Sequence, residues 1–265
     1  MQNYSLRDQI RDYWAVRAES YDAGRGHGIA QIGERDAWLD LIRARLGPGE
    51  GRLALDLATG TGEIALLMQA AGFAVTGMDF TEPMLDRAKA KAAARGLPIR
   101  FLLRDVEHTH EPDASYDVLV TRNLVWTLVD PAAAFAEWYR LLKPGGRLMI
   151  VDGDHVSVTW ADRLHSFWGR WFGATADGHS LLTPEQWANH HAIVAQLQFS
   201  QGARAKMVAT LLQSGGFGDI SIDTGLISLR KFQAQGQGWT GWLRSRNRHR
   251  FVICCTKPLM PSRSR

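Results

Sequence analysis

Leu53-Ala-Leu-Asp56-Leu-Ala-Thr-Gly60-Thr-Gly62-Glu63 runs directly into the apolar segment Ile64 to Met68. Alternating apolar residues ending at Asp56, two glycines and then a helix-like run read as a strand, a tight turn and a helix. Glycine lets the backbone turn at positive φ and lets a ligand approach with no Cβ in the way. A helix that starts here presents unpaired N–H groups and the positive end of its dipole to whatever occupies the turn. The stretch is built to hold a small polar molecule.

Around it the chain alternates. Residues 52–57, 74–78, 99–103, 116–121 and 147–151 read as strands, and 64–71, 83–94 and 131–142 as helices between them. Thr81 is positioned to cap the second of these helices, and Lys143-Pro-Gly-Gly146 reads as a turn. A further helix over 203–214 precedes two strands over 220–229 and 248–256, antiparallel neighbours joined by a Gln/Gly-rich link at 233–243. Strands separated by helices imply a parallel sheet with right-handed crossovers, and ligands on such sheets sit at the carboxyl ends of the strands. That rule gathers Asp56, Asp79, Asp105, Asn123 and Asp152 into one cleft, although turns favour these residue types in any case.

Two segments flank the alternation. Residues 1–49 are helical, interrupted by Tyr21-Asp-Ala-Gly24-Arg-Gly26-His27-Gly28, which serves either as a connector or as a lid over a site. Residues 154–201 carry Trp160, Trp168, Trp171 and Trp187 with Phe167, Phe172 and Phe199. Thr183-Pro184-Glu185 opens a helix there. These aromatics either pack a helical cap onto the sheet or line a substrate pocket.

The 265 residues suffice for one large α/β unit; 45% apolar and 22% charged residues are those of a soluble globular protein, and no apolar run approaches a membrane span. The start lacks the apolar core of a secretory signal, and the adjacent Cys254 and Cys255 cannot frame long-range disulfides, so a reducing cytoplasm is expected. The net charge of +4 leans on Arg244, Arg246, Arg248, Arg250, Lys257, Arg263 and Arg265. With no aromatic stacking pattern beside it, this reads as a solvated basic end more than as a nucleic-acid patch. No zinc or iron spacing is seen, since His190 and His191 are adjacent and no carboxylate completes a set.

Two cofactors compete for the glycine loop. Gly60-Thr-Gly62-Glu-Ile-Ala65 satisfies the dinucleotide pattern, with Asp79 about 20 residues on to take a ribose hydroxyl. That reading makes the protein an NAD(P)-dependent oxidoreductase. Against it, Asp56 ends the strand just before the loop, where a pyrophosphate needs neutral or positive company. A carboxylate there suits a cofactor carrying positive charge.

Asp56-Leu-Ala-Thr-Gly60-Thr-Gly62 resembles the first motif of the class I S-adenosylmethionine-dependent methyltransferases, Asp/Glu-x-Gly-x-Gly-x-Gly. Ala58 replaces the first glycine, which a methyl group tolerates if φ there is not positive. Further motifs follow in family order: Asp79 after the second strand, Arg104-Asp105-Val106 after the third, Leu141-Leu-Lys-Pro-Gly-Gly146 before the fifth, and Gly215-Gly-Phe217 before the late hairpin. The resemblance covers roughly 50–153 and 203–257. It implies a Rossmann-like seven-stranded, mostly parallel sheet with an antiparallel last strand and helices on both faces. The expected organisation is a single methyltransferase domain: a helical lid over 1–49, the core over 50–153 and 202–257, and a helical cap insertion over 154–201.

The resemblance also assigns roles. Asp56, Ala58, Gly60 and Gly62 shape the pocket for the methionine moiety of S-adenosyl-L-methionine, and Asp79 takes the ribose hydroxyls. Phe80 and Met84 cover an adenine face unless they only pack the core. Arg104, Asp105 and Val106 meet the adenine edge. Tyr21 stands near the methionine carboxylate, and Asn123 near the methyl group. Arg122 either bonds the cofactor or steers an acidic acceptor, and with Trp126 and Trp168 it is a candidate acceptor contact.

Methyl transfer from a sulfonium is an in-line displacement, and holding both reactants in that geometry supplies on the order of 7–11 kcal/mol of the barrier. A base is therefore needed only for some acceptors. His155 and, from the loop, His27 are the candidates. Asn123-Leu-Val-Trp126 stands where amino-methylating relatives carry Asn-Pro-Pro-Tyr, which favours a small-molecule acceptor over RNA methylation. A non-enzymatic scaffold that binds the cofactor, and a homodimer, remain open.

Overall fold

The computed structural model describes residues 4–24, 27–29, 31–157, 159–162, 183–226 and 249–259, together with 229, 232, 239, 242, 243 and 247. Two helices lead. α1 (Leu6–Arg17) begins at a capping box in which the Ser5 hydroxyl accepts the Asp8 amide and the Asp8 carboxylate accepts the Ser5 amide; α2 (Ile32–Leu46) ends at Gly47. The alternation then follows as β1 (Leu53–Leu57), α3 (Glu63–Ala70), β2 (Ala74–Asp79), α4 (Glu82–Ala94), β3 (Arg100–Leu103), β4 (Tyr116–Arg122), α5 (Pro131–Leu141) and β5 (Leu142–Gly153). α6 (Pro184–Val194) lies in the predicted insertion. α7 (Ala205–Ser214), β6 (Gly218–Asp223) and β7 (Arg250–Thr256) complete the described elements.

The seven strands form one sheet in the order β3-β2-β1-β4-β5-β7-β6. Pairings from β3 through β5 are parallel, and β7 runs antiparallel to both β5 and β6. Strand order reverses between β1 and β4, so the carboxyl ends of those two strands frame a crevice.

Side chains alternate through the sheet as the pleat requires. Leu55, Leu57, Leu119, Leu148 and Ile150 point to one face, where they meet Phe135 and Trp138 of α5 and Val208 and Leu212 of α7. Ala54, Val118, Val120, Met149 and Val151 point to the other, against Trp38 and Ile42 of α2 and Ile64, Leu67 and Met68 of α3. In a third cluster Ile10 and Tyr13 of α1 pack on Ile193 of α6 and Leu197 just past it, with Trp14 and Phe80 at its edge. The N-terminal helix and the insertion helix thus meet over the carboxyl end of β2.

Three expectations are corrected. The segment 143–146 is not a turn before the fifth strand; β5 already starts at Leu142, which pairs with Tyr116 ahead of a register shift, and Gly145 and Lys257 extend the ladder beyond β7. The strand expected over 220–229 ends at Asp223, and Leu229 is helical. Thr81 occupies the N-cap of α4, yet its side chain makes no capping hydrogen bond. Of the basic C-terminal residues, Lys257 is used internally, its Nζ donating to the Tyr139 and Leu142 carbonyls at 2.8 Å each. Arg244, Arg246, Arg248, Arg263 and Arg265 lie outside the described residues.

Candidate active site

The crevice at the switch point is a cleft of about 730 Å³, counting its open mouth. Each of these strand ends contributes: Ala58 and Gly60 after β1, Asp79 at the end of β2 with Phe80 next, Asp105 and Val106 after β3, Arg122 and Asn123 at the end of β4. α1 closes the side with Arg7, Ile10 and Trp14, and Tyr21 stands across from the glycine loop.

The loop after β1 is shaped by backbone conformation. Gly60 has φ +53° and open space where a Cβ would stand. Gly62 has φ +86°, and a Cβ there would meet the Ala88 methyl of α4 at 3.0 Å, so it serves the helix packing and not the cleft wall. Ala58 has φ +54°. The condition under which a methyl is harmless does not hold, and Ala58 bears the strain that the family's glycine avoids, about 1–2 kcal/mol.

The carboxylates divide their labour. Asp79 accepts the Gly60 amide at Oδ2 and the Thr81 amide at Oδ1, both at 2.9 Å, which ties the loop after β1 to the end of β2. Burial raises the pKa of its carboxyl, against the pull of these amides. Asp56 does not line the cleft. It lies buried beneath the loop, accepts the Thr59 hydroxyl at 2.6 Å, and is pushed up to about 7 by burial, with Thr59 and the Arg122 charge opposing. Asp105 accepts the Glu107 amide at 2.8 Å and pairs with Arg7 Nε at 3.2 Å.

Arg7 and the buried Glu107 form a connection invisible in the sequence: the same guanidinium bonds Glu107, whose Oε1 accepts the Val129 amide at 2.8 Å. α1 is thereby fastened to the chain after β3 and to the approach to α5. The helix-like spacing of Ile10, Tyr13 and Trp14 marks a helix but carries no sign of what its face covers.

At the end of β4, Arg122 Nη2 donates to the His27 carbonyl at 2.6 Å, while the buried Nη1 has no hydrogen-bond partner among the described residues. Asn123 is in the left-handed region at φ +58°, which asparagine tolerates better than most residues. A buried guanidinium nitrogen without an acceptor, on a residue that lines the same cleft as Gly60 and Asp79, suits a ligand with a carboxylate at one end and hydroxyls further along.

Beyond Asn123 the rings gather. Trp126 is buried, its indole N–H donates to the Asn123 carbonyl at 3.2 Å, and its ring lies 6.4 Å from Trp14, 5.5 Å from His155 and 6.1 Å from His190. Trp187 and Tyr13 extend this group through His190, at 5.7 and 5.4 Å. His155 Nε2 lies 3.3 Å from the buried Asp152 Oδ1. Asp154 accepts the Val156 and Ser157 amides and so shapes the turn that carries His155.

Of the expected site residues, Tyr21, Ala58, Gly60, Asp79, Phe80, Met84, Asp105, Val106, Arg122 and Asn123 are brought together in the cleft. Trp126 and His155 stand next to it and are not part of its lining. The His27 ring packs edge-on to Tyr21 at 4.3 Å. Arg104 turns away, donating to the Leu103 carbonyl at 3.0 Å beside a neighbouring groove. Trp168 lies outside the described residues. Among the insertion's other aromatics, Phe199 packs in the sheet core and Trp160 is exposed.

A sheet in this order, with a glycine loop after β1 and a carboxylate after β2, defines the class I S-adenosylmethionine-dependent methyltransferases. Residues 55–150 match the methyltransferase domain family. The chain is 32% identical over 173 residues to the ubiquinone/menaquinone biosynthesis C-methyltransferase of Bdellovibrio bacteriovorus, covering 64% of this chain and 73% of that one. It is 44% identical over 100 residues to a demethylmenaquinone methyltransferase of Thermus thermophilus, covering 37% of this chain and 46% of that one. In fold it is similar to a phosphoethanolamine N-methyltransferase of Haemonchus contortus in complex with S-adenosyl-L-methionine, with a TM-score of 0.65 at 17% identity. That likeness covers 96% of this chain but spans only 60% of the other. The chain belongs to this methyltransferase family, and its cofactor is S-adenosyl-L-methionine. The comparisons lend no support to the oxidoreductase or RNA-methylating readings. Among the described residues no helix is long and apolar enough to cross a membrane.

Proposed function

We propose that the enzyme methylates a ring carbon of a hydroxylated aromatic acceptor of the quinol type. The observation that carries this reading is the group of rings formed by Trp14, Trp126, His155 and His190 beside the cleft, from α1, the segment after β4, the end of β5 and α6. Flat, rigid side chains with few rotamers suit a planar acceptor. The names of the relatives, C-methyltransferases of quinone biosynthesis, point the same way.

S-adenosylmethionine, when bound, supplies a methyl group on a positively charged sulfur. In our reading Asp79 accepts its ribose hydroxyls, and Arg122 Nη1 with Tyr21 meets the methionine carboxylate. Phe80 and Met84 flank the adenine, and Asp105 accepts from the adenine amino group. Gly60 permits close backbone approach. On the acceptor side a ring carbon attacks better when the neighbouring hydroxyl is ionised. His155 takes that proton, and Asp152 behind it stabilises the resulting imidazolium; as the ring carbon bonds the methyl, the methyl–sulfur bond would break, and the C–H proton of the methylated carbon would then return to the ring oxygen to restore the aromatic hydroxyl. α1 and α6 exclude water from the rings. A cytoplasmic location belongs to the same proposal, supported by the free thiols of Cys254 and Cys255.

The test pairs a binding and a turnover measurement. Calorimetry should give a 1:1 complex with S-adenosylhomocysteine and none with NADH. Labelled methyl should pass from S-adenosylmethionine to a short-chain demethylmenaquinol and be found on carbon. Binding without transfer to any quinol would overturn the acceptor assignment; a normal rate in His155→Ala would remove His155 from the mechanism.

A further inference from the structure

We propose that Lys91 and Asp22 are positioning residues for the methyl donor: they fasten the Tyr21–Ala23 turn to the glycine loop and thereby set how long the donor stays bound. This rests on the donor reading given above and extends it to residues that touch no part of the cleft.

The contacts converge from three elements. Lys91 Nζ on α4 lies 2.7 Å from Asp22 Oδ2 and 2.6 Å from Glu63 Oε1. The Thr61 hydroxyl donates to Asp22 Oδ1 at 2.6 Å, and the Ile29 amide donates to Glu63 Oε2 at 3.1 Å. All four oxygens of the two carboxylates are therefore engaged, with one ammonium between them. Thr61 stands between Gly60 and Gly62, and Glu63 opens α3. The side chains of Lys91, Asp22 and Glu63 are 22%, 30% and 13% exposed, so the bridge is only partly screened by solvent.

Its geometry reaches the donor through one residue. Tyr21 precedes Asp22 in a single 3₁₀ turn and lines the cleft with Ala58 and Gly60. Holding Asp22 on Thr61 fixes Tyr21 relative to the glycine backbone. A donor seated on that backbone lies under Tyr21, and its departure requires the turn to lift, which breaks the Lys91 and Thr61 contacts. The bridge thus slows release, which requires those contacts to break.

The test is the release rate of S-adenosylhomocysteine, measured by stopped flow, in the wild type, Lys91→Met, Thr61→Val and Lys91→Arg, with thermal melting as the control for folding. Lys91→Met should release the product on the order of 10-fold faster. Thr61→Val, nearly isosteric, should shift release in the same direction, and Lys91→Arg should return it close to wild type. Unchanged release in folded Lys91→Met, a loss of affinity that lies wholly in association, or a failure of arginine to restore release would each overturn the proposal. A wild-type protein that binds no S-adenosylhomocysteine would defeat the donor reading itself, a result distinct from tight binding with unaltered release.

Discussion

The Gly60 amide donates to Asp79 Oδ2 across 2.9 Å, so the carboxylate at the end of β2 and the turn after β1 form one unit. Asp79 organises the loop while keeping lone pairs for hydroxyls. Asp79→Asn keeps the shape but replaces one carboxylate oxygen with a donor that repels the Gly60 N–H. Affinity for S-adenosylhomocysteine should fall on the order of 10–100-fold, the worth of one or two charge-assisted hydrogen bonds. Titration calorimetry checks this, and an unchanged constant would refute the ribose assignment.

Ala58 offers the opposite kind of change. Its φ of +54° costs a residue with a Cβ about 1–2 kcal/mol, whereas glycine returns some flexibility to the unfolded chain, roughly 0.5–1 kcal/mol. Ala58→Gly should stabilise the protein by about 0.5–1 kcal/mol, seen as a higher urea midpoint, with donor affinity retained. A lower midpoint would mean that the methyl packs better than its backbone suggests.

Asp56 makes stability depend on pH. Its carboxyl titrates near 3.8 when unfolded and at about 7 in the folded chain, because burial disfavours the charged form. Between those values the folded state holds a proton that the unfolded state has released. The contribution is complete below 3.8, falls as pH rises, and is gone above about 7. The urea midpoint should therefore decline across this window, and less steeply in Asp56→Asn, whose amide oxygen still accepts from Thr59. Equal slopes in the two proteins would refute the shift.

The donor half of the site was legible because its signals are local. β1 and β2 each carry a carboxylate at or near their ends a few residues before a helix, and after β1 the glycines fall between. What escaped was set by contacts across the sequence. The Arg7–Glu107 pair joins positions with no shared pattern, and nothing in the helical pattern around Lys91 marks it as the partner of Asp22 and Glu63. The turn expected at 143–146 obeyed its local chemistry and lost to pairing, since Gly145 and Gly146 are held by Lys257. Asp56 was placed correctly along the chain but assigned to the cleft wall; strand alternation turns it inward, under the loop. Ala58 shows the limit of reading a motif by residue type, since the sign of φ cannot be seen in a single substitution.

The meeting of Ile10 and Tyr13 with Ile193 and Leu197 has a consequence for how the protein is made. Such a contact closes roughly two thirds of the chain into a loop and is slow to form, whereas β1 to β4 pair within one contiguous block. The donor-binding half can therefore assemble before the ring-lined side. A ligand that binds the folded cleft and not the unfolded chain pulls folding forward by mass action, so S-adenosylmethionine should raise the urea midpoint.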